Sequence, residues 1–372
     1  MSSDIKPIVM PKWGLAMKEG SVVSWSINVG DEIKKGENFV EIETEKVVNE
    51  FESPQSGILI KKCVEEDIKI PVGALIALVG EKDTSSDKID EFISNFESNF
   101  EKQAASISEN EDLTKKIAIN GTTINYVQMG NGENPTLVFI HGFGGDLNNW
   151  MFNQEELSKS FNTFAIDLPG HGASSKNIQQ GDITYLSDTV IKFCEINKLK
   201  KINFIGHSLG GGICLSLALK NLDLVSSLTL ISPIGFGEEI DHTYIEGFIK
   251  ADSRKELKSQ LEKLYFNSEI LTRDLINEVL KFKRLDETTS ALQKIKEESL
   301  LSGNQQKYLL KDKIIDLTCP ITIIWGNDDK IIPVKHCNNL PKNLNIKIIN
   351  EAGHMAHIEK PNAINEIIKK MN

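Results

Sequence analysis

With 372 residues, 40% of them hydrophobic and 26% charged, the chain has the composition of a folded globular protein and the length for two or three domains. Its net charge of −11 offers no basic face to nucleic acid or anionic lipid. Apolar runs such as Thr136–Ile140 and Ile321–Trp325 have strand length, too short to span a bilayer, and no secretory leader pattern opens the sequence.

Residues 5–80 are expected to be all-β. Short runs rich in Val and Ile alternate with turn signals at Asn28-Val29-Gly30-Asp31, Lys35-Gly36-Glu37-Asn38, Ser53-Pro54, Ser56-Gly57 and Pro71-Val72-Gly73, the spacing of a small sandwich or flattened barrel. Phe39–Thr44 and Val47–Phe51 read as two strands about Glu45-Lys46, which sets one lysine at a hairpin tip. Alone, a charged tip is a solvated turn. Its surroundings change that reading: Met10-Pro11-Lys12-Trp13-Gly14, Met17-Lys18-Glu19-Gly20, Gly30-Asp31, Lys35-Gly36, Ser53-Pro54, Gly57 and Val72-Gly73 together resemble the lipoyl domain along nearly its whole length. The resemblance implies lipoate in amide linkage on Lys46. Biotinyl carriers share this fold and are the nearest rival, but they set methionines around the modified lysine, where this chain has Glu45 and Val47. Ala16-Met17-Lys18 mimics the biotin motif away from the tip. The chain departs from the lipoyl pattern at Glu66-Asp67, where members usually have Gly-Asp.

Residues 81–112 contain no glycine or proline, are rich in Ser, Asp and Glu, and hold 10 acids against 3 bases. Ile89, Phe92, Ile93, Phe96 and Phe100 recur at intervals of three and four, one face of an amphipathic helix. The segment reads as an acidic linker with one short helix, docked on a partner or on the domain that follows.

From residue 113 the rhythm becomes strand, helix, strand. Ile117–Ile119 and Thr123–Gln128 flank the hairpin turn Asn120-Gly121. Buried-type strands follow at Thr136–Ile140, Phe161–Ile166, Ile202–Ile205, Leu228–Ile231, Ile321–Ile324 and Ile346–Ile349, which predicts a mostly parallel sheet with helices on both faces. Residues 234–311 interrupt the alternation with helical, charged sequence, a cap over the carboxyl edge of the sheet. The five cysteines (Cys63, Cys194, Cys214, Cys319, Cys337) show no C-x-x-C spacing, so reduced cytoplasmic thiols are expected, without disulfide framework or metal site.

Gly206-His207-Ser208-Leu209-Gly210 matches G-x-S-x-G between a strand and a helix, where a nucleophile on a sharp turn needs glycine on both sides. His141-Gly142-Phe143-Gly144-Gly145 follows a strand, so the backbone N–H groups of Phe143 and Leu209 are candidates for an oxyanion hole. Trp325-Gly326-Asn327-Asp328-Asp329 and Ala352-Gly353-His354 follow two later strands. The order Ser, Asp, His, with Asp167-Leu168-Pro169-Gly170-His171-Gly172, resembles the α/β-hydrolase superfamily over residues 113–372. The resemblance implies Ser208 as nucleophile, Asp329 as acid and His354 as base. It selects Asp329 over Asp328 because Pro333 lies four residues on, and His354 over His357 because His354 directly follows glycine. His141 and His171, in glycine turns, are expected to make local hydrogen bonds.

The expected architecture is therefore multidomain: an all-β lipoyl-type flattened barrel (5–80), an acidic linker (81–112), and an α/β-hydrolase fold (113–372) with a helical cap (234–311). That pairing resembles the acetyltransferase components of acetoin dehydrogenase complexes; the H-x-x-x-D-G motif of the usual 2-oxo-acid complexes is absent. The resemblance implies acetyl transfer from the lipoyl arm to coenzyme A as co-substrate. As partners it implies a thiamine-diphosphate-dependent component that loads the arm, a flavin lipoamide dehydrogenase that reoxidises it, and a homo-oligomeric core. Two readings from other classes stand beside it: a serine hydrolase fused to a carrier, and a non-catalytic scaffold.

Overall fold

The computed structural model describes residues 5–11, 19–43, 48–108, 114–338, 340–341 and 344–371. Lys46, with Thr44, Glu45 and Val47 around it, and the segment 12–18, which includes Met17-Lys18, lie outside the described residues. The chain forms two compact units, Met1–Glu111 and Asp112–Asn372.

The first unit contains eight described strands: β1 (Lys6–Val9), β2 (Glu19–Trp25), β3 (Glu32–Ile33), β4 (Asn38–Glu43), β5 (Val48–Glu52), β6 (Gly57–Lys62), β7 (Lys69–Pro71) and β8 (Leu75–Gly80). They make two antiparallel sheets, ordered β1-β8-β6-β3 and β5-β4-β2-β7. Alternation along the strands sends Ile8, Val22, Phe39, Ile42, Leu59 and Val79 into one apolar core. β4 and β5 pair antiparallel out to Glu43 opposite Val48. At the departure from the lipoyl pattern, Asp67 takes φ 61 and its N–H donates to Val22 O at 2.7 Å. Glu66, which stands where members have glycine, takes no positive φ, and aspartate tolerates the left-handed position at 67, so the turn does not require the glycine.

A helix, α1 (Ser86–Ser108), follows. The sequence pattern left its apolar face for a partner or for the domain that follows. Ile89, Phe92, Ile93 and Phe96 instead pack with Ile5, Leu75, Leu78 and Ile60 on the outer face of the β1-β8-β6 sheet. Cys63 joins this layer, and burial pushes its thiol up to about 12. The helix is thus a ninth element of the carrier unit, covering a sheet face that would otherwise expose Leu75 and Leu78 to water.

The second unit opens on β9 (Thr114–Ile119) and β10 (Thr122–Met129), joined through Asn120 (φ 48) and Gly121 (φ 81), the double positive φ of a primed hairpin turn. β11 (Thr136–Ile140), α2 (Met151–Ser158), β12 (Asn162–Ile166), α3 (Ile183–Ile196), β13 (Ile202–His207), α4 (Leu209–Lys220) and β14 (Val225–Ile231) alternate after it. The cap comprises α5 (His242–Lys250), α6 (Arg254–Leu261), α7 (Arg273–Lys283), α8 (Thr288–Ile295) and a small hairpin of β15 (Leu301–Ser302) with β16 (Gln305–Gln306). β17 (Ile321–Gly326), β18 (Asn345–Ile349), α9 (Ala356–Glu359) and α10 (Pro361–Met371) complete the unit.

The sheet order is β18-β17-β14-β13-β11-β12-β10-β9, parallel from β18 to β12. Strands buried on both faces read as continuous apolar runs, which is why they were visible in the sequence. Two apolar layers result, one holding Phe193, Phe204, Ile213 and Leu230, the other Phe139, Trp150, Ile205 and Ile364. No helix among the described residues is long and apolar enough to cross a membrane.

Candidate active site

Parallel strands end on one edge, so the loops after β11, β13, β17 and β18 converge there. After β13 the backbone turns sharply into α4 and holds Ser208 at φ 53, ψ −114. Such a position costs a non-glycine residue on the order of 1–3 kcal/mol, so the surroundings must enforce it. They do. Ser208 N–H donates to Ile231 O at 2.9 Å, while Gly211 and Ile234 N–H donate to Ser208 O at 3.0 and 3.1 Å. A Cβ on Gly206 would lie 2.4 Å from Gly210 O, and one on Gly210 would lie 2.2 Å from Ile140 O. The glycines on each side of Ser208 are therefore required by close approach.

Asp329, after β17, and His354, after β18, are brought together: His354 Nδ1–H donates to Asp329 Oδ2 at 2.8 Å, with both side chains almost fully buried. Asp329 Oδ1 accepts from Ile331 and Ile332 N–H at 2.8 and 2.9 Å. Both carboxylate oxygens are thus committed, which fixes the ring and leaves Nε2 as the acceptor. The neighbouring Asp328 is tied through its backbone N–H, which donates to Ala352 O. Ser208 and His354 line one cavity of about 70 Å³. Among the described residues no hydrogen bond joins them, a contact that unliganded enzymes commonly leave loose.

The loop after β11 lies over the serine. A Cβ on Gly142 would come within 3.1 Å of Ser208 Cβ. Neither Phe143 N–H nor Leu209 N–H bonds another group among the described residues, and Leu209 opens α4, where the helix supplies no acceptor. Two histidines hold this loop. Leu168 N–H donates to His141 Nε2 at 3.0 Å, and His141 Nδ1–H donates to Gly142 O at 2.7 Å. Gly144 N–H donates to His171 Nε2 at 3.1 Å, and His171 Nδ1–H donates to Pro169 O. Each ring is neutral and tautomerically fixed by these bonds. Asp167 ties the neighbouring turns, accepting from Leu147 N–H, Asn125 Nδ2 and Ala173 N–H.

Three groups around the pair went unmarked in the sequence. His207 Nε2–H donates to the His354 carbonyl at 2.9 Å, and its ring lies 4.6 Å from the His354 ring. Glu359 accepts from Gly353 N–H through one oxygen and from Phe266 and Asn267 N–H through the other, fastening the cap to the histidine loop. His357, expected to be an ordinary helix residue, is fully buried in α9 between Trp150 and His207, at ring distances of 4.5 and 4.7 Å. Nothing in local spacing announces contacts made across so much intervening chain.

These histidines dictate an acid sensitivity. Burial holds His141, His171 and His207 below their ordinary pKa and pushes His357 down to about 3. Below pH 6.5 the unfolded chain takes up protons that the folded chain refuses. Stability from these groups is therefore complete above 6.5 and is lost as pH falls. Asp146, raised by burial to about 6, acts oppositely as pH falls through 6, but it is one group against four. The melting temperature of this unit should drop by several degrees between pH 7.5 and 5.5, a loss on the order of a few kcal/mol. Unchanged or rising melting points would contradict this account.

A wider depression of about 890 Å³ lies at the amino-terminal ends of the strands, among Thr136, Asn162, Asn203 and Pro320. It contains none of the residues above. The smaller cavity is the one that matters, because the strained serine and the Asp329–His354 pair open onto it.

Comparison with known proteins agrees with the two-unit description. Residues 135–361 match the family model of the alpha/beta hydrolase fold, and residues 6–79 match the biotin/lipoyl model, described as "Biotin-requiring enzyme". The chain is 35% identical to the dihydrolipoyllysine-residue acetyltransferase component of acetoin cleaving system from Cupriavidus necator, over all of this chain and 98% of that one. It is likewise 35% identical to the component of the same name from Pseudomonas putida, over 98% of this chain and 97% of that one. A meta-cleavage product hydrolase (CumD) variant aligns with a TM-score of 0.64 at 19% identity, over 70% of this chain and 97% of that one, which shows the fold alone.

Proposed function

Because the chain belongs to the family of dihydrolipoyllysine-residue acetyltransferase components of acetoin cleaving systems, with an alpha/beta hydrolase fold, we propose that Ser208, Asp329 and His354 transfer acetyl from a lipoyl arm on Lys46 to coenzyme A. The observation that carries this reading is the hydrogen-bonded Asp329–His354 pair opening onto the same cavity as the strained Ser208. A lipoyl group fits the carrier unit: β4 and β5 end on Glu43 opposite Val48, so the lysine falls in a short connection between paired strands. When bound, it supplies a flexible dithiol that carries acyl groups as thioesters, and tethering supplies a high effective concentration.

In the first half of the reaction His354 Nε2 accepts the Ser208 hydroxyl proton while Oγ bonds the carbonyl carbon of the incoming acetyl thioester. Phe143 and Leu209 N–H stabilise the resulting oxyanion, and Asp329 stabilises the imidazolium. The C–S bond breaks, and His354 returns the proton to the departing thiol. In the second half His354 takes the proton from the coenzyme A thiol, whose sulfur attacks the acetyl-serine ester. Collapse breaks the C–O bond and restores the Ser208 hydroxyl. Phe143, Tyr244, Leu264 and Tyr265 line the cavity and favour a thiol acceptor over water by excluding solvent.

A thiamine-diphosphate-dependent component would load the arm and a lipoamide dehydrogenase would reoxidise it, in a cytoplasmic complex built on a homo-oligomeric core of this chain. Expression with lipoate and its ligase should yield one lipoyl adduct, on Lys46. The loaded protein should then form acetyl-coenzyme A, with little hydrolysis when coenzyme A is withheld. Biotin in place of lipoate, or an adduct on Lys18, overturns the carrier assignment. Equal thioester loss with and without coenzyme A makes the second unit a plain hydrolase.

A further inference from the structure

The cavity at Ser208 is small, and one aromatic side chain walls it beside the oxyanion loop. Its volume is about 70 Å³. Phe248, from cap helix α5, forms the wall beside the oxyanion loop and is 1% exposed. Gly144 admits the ring: a Cβ there would lie 2.5 Å from it. The Phe143 and Tyr244 rings pack against it at 6.1 and 6.0 Å. Behind it, the ammonium of Lys283 lies 5.3 Å from the ring centre and is itself held by the Ala251 carbonyl. The ring is therefore fixed on several sides and cannot swing away without breaking contacts of the cap.

Resting on the transferase reading above, we propose that Phe248 sets the acyl-chain limit of this site, admitting acetyl and rejecting longer acyl groups. An acetyl carbonyl in the oxyanion hole leaves one methyl group to be housed. Propionyl and butyryl add one and two carbons, which on this proposal run against the Phe248 ring. One methylene in an apolar pocket discriminates by about 10- to 200-fold. The Phe248 side chain itself carries no polar group, so the limit it sets is steric.

The test uses the full-length lipoylated chain with S-acetyl-, S-propionyl- and S-butyryl-dihydrolipoamide as donors and coenzyme A as acceptor. Wild type should favour acetyl over butyryl in kcat/KM by about 100-fold. Phe248→Ala should reduce that ratio at least tenfold, and Phe248→Leu, which retains an apolar side chain should the alanine variant not fold, should reduce it less. The ratio is unaffected by a general loss of active protein. A wild type indifferent to chain length overturns the proposal. So does an unchanged ratio in the variants. Absence of any coenzyme A-dependent acetyl transfer by wild type overturns the transferase reading itself, and this limit with it.

Discussion

Replacing Ser208 by alanine should lower acetyl transfer to coenzyme A by four or more powers of ten while lipoylation of Lys46 proceeds normally. Loss of a triad nucleophile costs on the order of 10⁴–10⁶ in rate where the mechanism passes through an acyl-enzyme. The geometry here gives that route its parts: a hydroxyl held on a strained turn, a neighbouring cavity, and two N–H groups without other partners among the described residues. Alanine removes only the oxygen, and the bonds from Ser208 N–H and to Ser208 O are backbone bonds that the variant keeps. The melting temperature should therefore stay close to that of wild type. The measurement is coenzyme A-dependent release of acetyl from the loaded arm, followed as acetyl-coenzyme A. Transfer within tenfold of wild type would sink the acyl-serine route and leave direct thiol-to-thiol transfer, with His354 as the base.

Asp329→Asn should cost about 10⁴ in the same assay, and the structure supplies the reason. One carboxylate oxygen accepts two backbone N–H groups, from Ile331 and Ile332. In the variant the amide oxygen must occupy that place, because an NH₂ group there would face two donors. The NH₂ group then points at His354 Nδ1 and forces that nitrogen to accept. The ring proton moves to Nε2, the atom that must take the proton from Ser208, and the base is lost without any change in shape. KM for the acyl donor should change little, since the carboxylate is remote from bound substrate. A variant that keeps more than a tenth of wild-type kcat would show that the tautomer does not control the reaction.

The strands of both units were legible because each records a local rule. Alternation marks the half-buried carrier strands, and continuous apolar runs mark the buried parallel strands of the second unit. The elbow was legible because its glycines fall in a short fixed pattern: Gly206 is demanded by Gly210 O four residues on, although Gly210 is demanded by Ile140 O on another strand. The helix after the carrier was legible as an amphipathic period, but its docking surface was not. A period records that a face is buried and carries no information about what buries it, and Ile89, Phe92 and Phe96 found the carrier's own sheet. His207 and Glu359 escaped notice, and the bond from Gly144 to His171 with them, because these contacts reach 147, 93 and 27 residues along the chain.

The sequence by itself pointed to the residues proposed to carry the chemistry. A nucleophile at a strand-to-helix turn, a candidate acid, a histidine after glycine, and a lysine between two acidic-edged strands all declare themselves through short spacings. The tertiary structure alone decided how those residues are held: that Asp329 shares its two oxygens between His354 and the Ile331 and Ile332 N–H groups, that His141 and His171 brace the oxyanion loop, and that Phe248 descends from the cap to within contact of Gly144. Spacing along a chain constrains backbone shape over a few residues. Distances between side chains on separate strands and the cap exist only after the sheet has assembled and brought those loops to one edge.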